Sequence, residues 1–227
     1  ASDVYKRQIL ASFTADVEFD VVDNAAGLIA QMDGVNPAGH LTEADSITVD
    51  DVNTGRVVGA NDGAILASFT ADVEFDVVDN AQAIAAELSA HGVGSLDEAA
   101  DVVVSGGNVD VADAADIQAI SMYNGSASDY DITDTAAALI SAGDSILNKA
   151  GVDIVTVSDG PVSAADGATL NGFVADVEYT VEDSAANIVT NSANLSEADR
   201  IEVVDILKNS ADISQSDVIE DTGHAQT

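Results

Sequence analysis

The chain has 227 residues, 47% of them hydrophobic, and sets 41 acidic side chains against 6 basic ones for a formal net charge of -35. Such a field repels nucleic acid and anionic membrane surfaces and draws cations instead, which excludes the first two as partners. The absence of cysteine removes disulfides and thiolate metal centres, and no apolar run reaches the ~18 residues that cross a bilayer.

Residues 1–8 hold two of the six basic side chains and fit no repeat. The stretch Ser2 to Gln8 resembles a translated sequencing adapter, so it is read as a non-native N-terminus on an environmental fragment of something longer. No signal peptide is visible.

From Ile9 onward the chain repeats itself. Ile9 to Ala25 recurs letter for letter at Ile65 to Ala81, a spacing of 56. A diverged copy, Asp166 to Ala185, matches Asp62 to Ala81 at about a dozen of twenty positions. Repetition on this scale marks an array whose units bury their apolar faces against their neighbours.

Short runs of alternating apolar and polar residues predict strands at 17–22, 47–49, 73–78, 102–104, 130–133, 154–157, 177–181 and 201–204. In the first, Val17, Phe19 and Val21 take the core face, and Asp16, Glu18 and Asp20 the wet one. Ala-rich helical segments are expected at 24–31, 80–88, 113–120, 135–140, 166–170 and 184–189. Asn24, Asn80, Thr135 and Ser184 suit N-caps, and Asp23, Asp79, Asp134 and Asp183 stand one residue earlier, where an acid complements the helix dipole. Glycines at 34, 63, 92, 125, 143, 151 and 172 fall where turns and helix ends are expected.

A strand, a turn, a short helix and a return make one coil. The fold expected is an α/β repeat solenoid of about eight coils with short parallel strands; the alternative is a right-handed β-solenoid. Double-coil repeats fall near 9–64, 65–125, 126–174 and 175–222, forming a single unit over 9–222, with a disordered tail at 223–227.

The motif Val-x-[Phe/Tyr]-x-Val-x-Asp-[Asn/Ser]-Ala-Ala, carried by Val177 to Ile188 and by both exact copies, resembles acidic tandem repeats of very large bacterial exported proteins. These are the adhesin-like, S-layer-like and calcium-binding secreted repeat proteins. The resemblance implies an extracellular or cell-surface location and no chemistry.

Other motifs fail. Gly106 to Asp110 matches the calcium-binding nonapeptide once and reads as a turn, and Asp51 to Gly55 lacks the acids of an EF-hand loop. His40, His91 and His224 share no repeat position and read as loop residues. No nucleophile elbow or phosphate loop is present, so no enzyme is expected.

One arrangement carries chemistry. Parallel strands lie about 4.8 Å apart, so acids on the wet face stack in ladders whose repulsion bound cations would relieve. The residues are Asp16, Glu18, Asp20, Asp72, Glu74, Asp76, Asp176 and Glu178, and Ca2+ is the ion suited to them; no cofactor is required. The competing reading is a solvated acidic surface. The function expected is a stalk or spacer, its partners neighbouring repeats of a longer parent chain and end-to-end copies of itself, with no membrane insertion. The alternative is a solenoid that binds a glycan or protein through its exposed sheet face. Phe19, Phe75, Tyr130 and Tyr179 alternate in phase with valine and are expected inside, which favours the spacer.

Overall fold

The structure, a computed structural model, describes residues 20–32, 44–68 and 72–204. It is α/β, with short parallel strands and short helices alternating along the chain. The strands are β1 (Asp20–Asp23), β2 (Ser46–Val49), β3 (Val57–Val58), β4 (Val73–Glu74), β5 (Asp76–Asp79), β6 (Asp101–Val109), β7 (Asp129–Asp134), β8 (Val152–Val157), β9 (Val177–Glu178), β10 (Thr180–Asp183) and β11 (Arg200–Val203). The helices are α1 (Ala25–Met32), α2 (Ala60–Ala67), α3 (Ala81–His91), α4 (Val111–Gln118), α5 (Ala136–Ala142), α6 (Asp144–Leu147), α7 (Ala164–Leu170) and α8 (Ala185–Asn191).

Every strand pairs in parallel, in three sheets: β1-β2-β4, β3-β5-β6-β7-β8-β9 and β10-β11; neighbours follow chain order except that β2 pairs with β4 and β3 with β5. β4 and β5 are two halves of one strand interrupted at Phe75, as β9 and β10 are at Tyr179. At both breaks the ring turns inward and the carbonyl accepts a hydrogen bond from the next strand segment, from Ala100 N to Phe75 O (2.8 Å) and from Asp199 N to Tyr179 O (2.9 Å). The diverged third copy is thus a structural copy as well.

Alternation decides what is inside. Val21, Ile47, Val73, Val77, Val102, Val104, Ile132, Val155, Val177 and Val181 are buried and meet Leu28, Leu66, Ile84, Ile117, Leu139 and Leu170 from the helices. Phe75, Tyr130 and Tyr179 are buried as expected, while Phe19 lies outside the described residues. Two glycines correct the turn assignment or sharpen it. Gly63 sits in the middle of α2, where a Cβ would lie 2.7 Å from Val77 Cγ2. Its repeat partner Gly167, in α7, would meet Val181 Cγ2 at 2.8 Å. Helix and sheet approach too closely there for any side chain. Gly92, Gly143 and Gly151, by contrast, do adopt positive φ at element ends.

The helix starts hold the stack together. Asn80, Asp110, Thr135, Ser163 and Ser184 each accept, through the side chain, the N–H three residues on. The aspartates before the caps do something the sequence pattern did not suggest. Asp79 accepts from Asn80 N (2.8 Å) with one oxygen and with the other from Ala60 N (3.1 Å), the first N–H of the preceding helix. Asp134 bridges Thr135 N and Val111 N in the same way, and Asp183 bridges Ser184 N and Ala164 N. Asp159 serves Ala136 N (3.0 Å). Strand register explains the recurrence: Val58 pairs with Val77, Val109 with Ile132, Asp134 with Val157 and Val162 with Val181, so the first helical residue and the aspartate stand two residues beyond paired positions each time.

Replacing Asp79 or Asp134 by alanine should each cost about 1 kcal/mol, the size of a lost N-cap, and lower the melting temperature by about 2–4 °C in a chain of this size. Gly63→Ala should cost about 1–3 kcal/mol by overpacking against the stiff Val77 side chain. Thermal melts followed by circular dichroism read all three, and an unchanged melt for Asp79→Ala and Asp134→Ala would remove the bridge from any account of the stack.

Candidate functional site

The outward strand face is where acidity was expected to act. Asp16 and Glu18 lie outside the described residues; Asp20, Asp72, Glu74, Asp176 and Glu178 are exposed and Asp76 half-buried, all on that face. They are not brought together as one group, because Asp20, the 72–76 set and the 176–178 set sit on different strands separated along the sheet.

The expected carboxylate ladders are mostly interrupted. In register, Asp20 stands beside Ser46, Glu74 beside Thr48, Asp129 beside Ser105, Asp131 beside Asn108 and Glu178 beside Thr156. The hydroxyls donate across the gap, Ser46 Oγ to Asp20 Oδ1 at 2.6 Å and Thr156 Oγ1 to Glu178 Oε2 at 3.3 Å. A hydroxyl between acids supplies a donor and spaces the charges, so most of the anticipated repulsion never arises.

Two registers do set acid beside acid, Asp76 with Asp101 and Glu182 with Glu202. Basic residues are scarce, yet one sits at each. Arg56 forks between Asp76 (Nη2 to Oδ1, 3.3 Å) and Glu74 (Nη1 to Oε2, 3.5 Å), and Arg200 pairs with Glu202. Asn124 Nδ2 donates to Asp101 at 3.0 Å. A guanidinium therefore already occupies the best-placed pair of the expected calcium ligands. Among the described residues no three His, Asp or Glu side chains converge as a metal centre.

The remaining motifs resolve into structure. Gly106 and Gly107, both at positive φ, form a bulge inside β6 where the pairing with β7 shifts register, rather than a turn between elements. Asp51 and Gly55 close a tight loop with two reciprocal backbone bonds of 2.7 Å, Asp51 Oδ1 also accepting from Asn53 N. His91 is not a loop residue: it ends α3, with its ring against Glu87. His40 and His224 lie outside the described residues.

Two carboxyls are shifted, in opposite directions. The Asn187 amide, with the Ala164 and Ser184 N–H groups, holds the Asp183 carboxyl below the usual carboxylate range. Asp113, at the start of α4, is pushed the other way, by burial first and then by Asp110 and Asp116. No family model matches the chain, and no curated protein or solved structure matches it.

The signs oppose. A lowered carboxyl contributes stability that is complete above the unfolded value of about 3.9 and is lost as pH falls through the folded one. A raised carboxyl opposes folding once ionised and is relieved on acidification. Melts from pH 7 to pH 2 should show Asp183→Asn flattening the acid loss of stability, and Asp113→Asn raising the melting temperature at pH 7 with little effect at pH 2.

Proposed function

We propose that the chain is a repeat solenoid of about eight coils serving as a stalk or spacer segment in a large secreted or cell-surface bacterial protein of the adhesin-like kind. The observation that carries this reading is the stacking rule: from β5 to β9 consecutive strands are consecutive neighbours, and an aspartate bond to the start of the preceding helix recurs four times along the chain. A unit whose first helical N–H is bonded by an aspartate of the next unit extends by addition, which is what a spacer requires. Its role is mechanical rather than catalytic. The acidic outer face keeps the stack soluble and repels its neighbours.

The buried aromatics support the spacer over a ligand-binding solenoid, because Phe75, Tyr130 and Tyr179 are unavailable to stack on a sugar or a partner's surface. The outward positions include Ser, Thr, Asp and Glu, several of them engaged with each other, beside the exposed Val22, Ile154, Ile201 and Val203. Calcium enters this proposal as a stiffener of the acidic face and not as a cofactor. End-to-end association of copies would follow from the same stacking geometry.

A melt of the 227-residue chain at matched ionic strength, in EDTA, in millimolar magnesium and in millimolar calcium, separates the cation readings. A calcium-specific rise of several degrees would support calcium-stiffened ladders, whereas equal stabilisation by all salts would restrict the acidity to a screened surface. Small-angle scattering should give a rod-like profile; saturable binding on a glycan array would overturn the spacer reading.

A further inference from the structure

We propose that Asn124 is a site of spontaneous deamidation, where the Gly125 nitrogen displaces the side-chain amide and leaves a carboxylate beside Asp101. Asn-Gly occurs twice in the sequence, at 124–125 and 171–172, and the fold treats the two pairs differently. Asn124 opens a turn closed by Ala127 N to Asn124 O (3.2 Å), so Gly125 holds the second position of that turn. Gly125 N donates to no acceptor among the described residues. The Asn124 amide is held at the same turn: Ser126 Oγ donates to its Oδ1 at 2.8 Å, and its Nδ2 donates to Asp101 Oδ2 at 3.0 Å. Asn171 is held the other way. Its Oδ1 accepts from Glu197 N (2.9 Å) and Ser196 Oγ (3.3 Å), in the loop before β11, and Gly172 N is engaged with Thr169 O at 3.0 Å.

The chemistry needs only water. Gly125 N attacks Cγ of Asn124 and gives up its proton, the Cγ–Nδ2 bond breaks, and Nδ2 leaves as ammonia. Water then opens the cyclic imide, to aspartate at Cγ or to isoaspartate at the main-chain carbonyl. Negative charge gathers on Oδ1 during the attack, where the Ser126 hydroxyl already aims a donor. A glycine nitrogen has no side chain to obstruct that attack, and packing keeps the glycine in place: a Cβ at 125 would fall 2.5 Å from Ala150 O. The product matters because of what Asn124 covers. Asp76 and Asp101 stand side by side in register, and the Asn124 amide is a donor to Asp101. Deamidation removes that donor and sets a third carboxylate against the pair. The inference stands on this turn and is independent of the spacer reading.

Incubating the full chain at mildly alkaline pH and mapping its peptides by mass spectrometry tests the site. Asn124 should convert to aspartate and isoaspartate while Asn171 persists. Ser126 is exposed, so Ser126→Ala should fold as before, which circular dichroism verifies, and should convert about fivefold more slowly, the worth of one neutral hydrogen bond. Asn124→Asp, which fixes the aspartate product in advance, should melt about 2–4 °C lower. No conversion at Asn124, or conversion at Asn171 as fast, overturns the proposal, and an unchanged melt of Asn124→Asp overturns the consequence drawn for the acid pair.

Discussion

A parallel stack of short strands and two-turn helices faces one recurring difficulty. Each helix start leaves unpaired N–H groups, and helices of seven or eight residues are marginal by themselves. The bridging aspartate answers both needs at once. It takes one N–H from its own cap residue and one from the preceding helix, so a local capping requirement becomes a bond between successive strand–helix units. Everything else in the stack is arranged to keep that bridge in register. The inward valines set the strand pairing, and the pairing places the carboxylate two residues beyond it.

The same register governs the outer face. Parallel in-register stacking of near-identical repeats threatens to place like charges side by side at every strand. The chain avoids this by staggering its repeats: the strand between two acidic strands carries serine or threonine at the facing positions, as Ser46 does for Asp20 and Thr48 for Glu74. Where staggering fails, a basic residue appears. Among the described residues only Arg56, Lys149 and Arg200 are basic, and both arginines lie at an acid-beside-acid register. An arginine fork suits two carboxylates at i and i+2 on one strand better than a lysine would.

Much of this was legible in the sequence. Period-two runs located most of the strands, and the Asn, Thr and Ser caps located half of the described helices, because both signals are local. Three features were not. The helix 60–67 escaped because Gly63 reads as a turn residue, and only its contact with Val77 explains a glycine mid-helix. The second partner of Asp79, Asp134 and Asp183 is a residue 19 or 23 positions earlier, which no local pattern reports. The carboxylate ladders were overdrawn because the outward faces were read strand by strand, and facing residues are known only once register is known.

The junction at the start of α3 departs from the rule, and the departure is informative. By register Asp79 pairs with Val104, so the bridge to the start of α3 should come from position 106, which is glycine. Gly106 and Gly107 instead bulge outward at φ 76° and 101°, and a Cβ on Gly107 would fall 3.1 Å from Ala81 N. The coil is stitched there by Gln82, whose Nε2 donates to Asn108 O at 2.8 Å. An uncharged amide on a flexible stem replaces a carboxylate on a rigid strand end, and an open groove of about 500 Å3 lies alongside, bordered by Gln82, Asn108, Asp110 and Asp113. Charge-assisted hydrogen bonds are roughly twice as strong as neutral ones. The side-chain bond at this joint is therefore a neutral one, where Asp79, Asp134 and Asp183 make charge-assisted bonds at theirs.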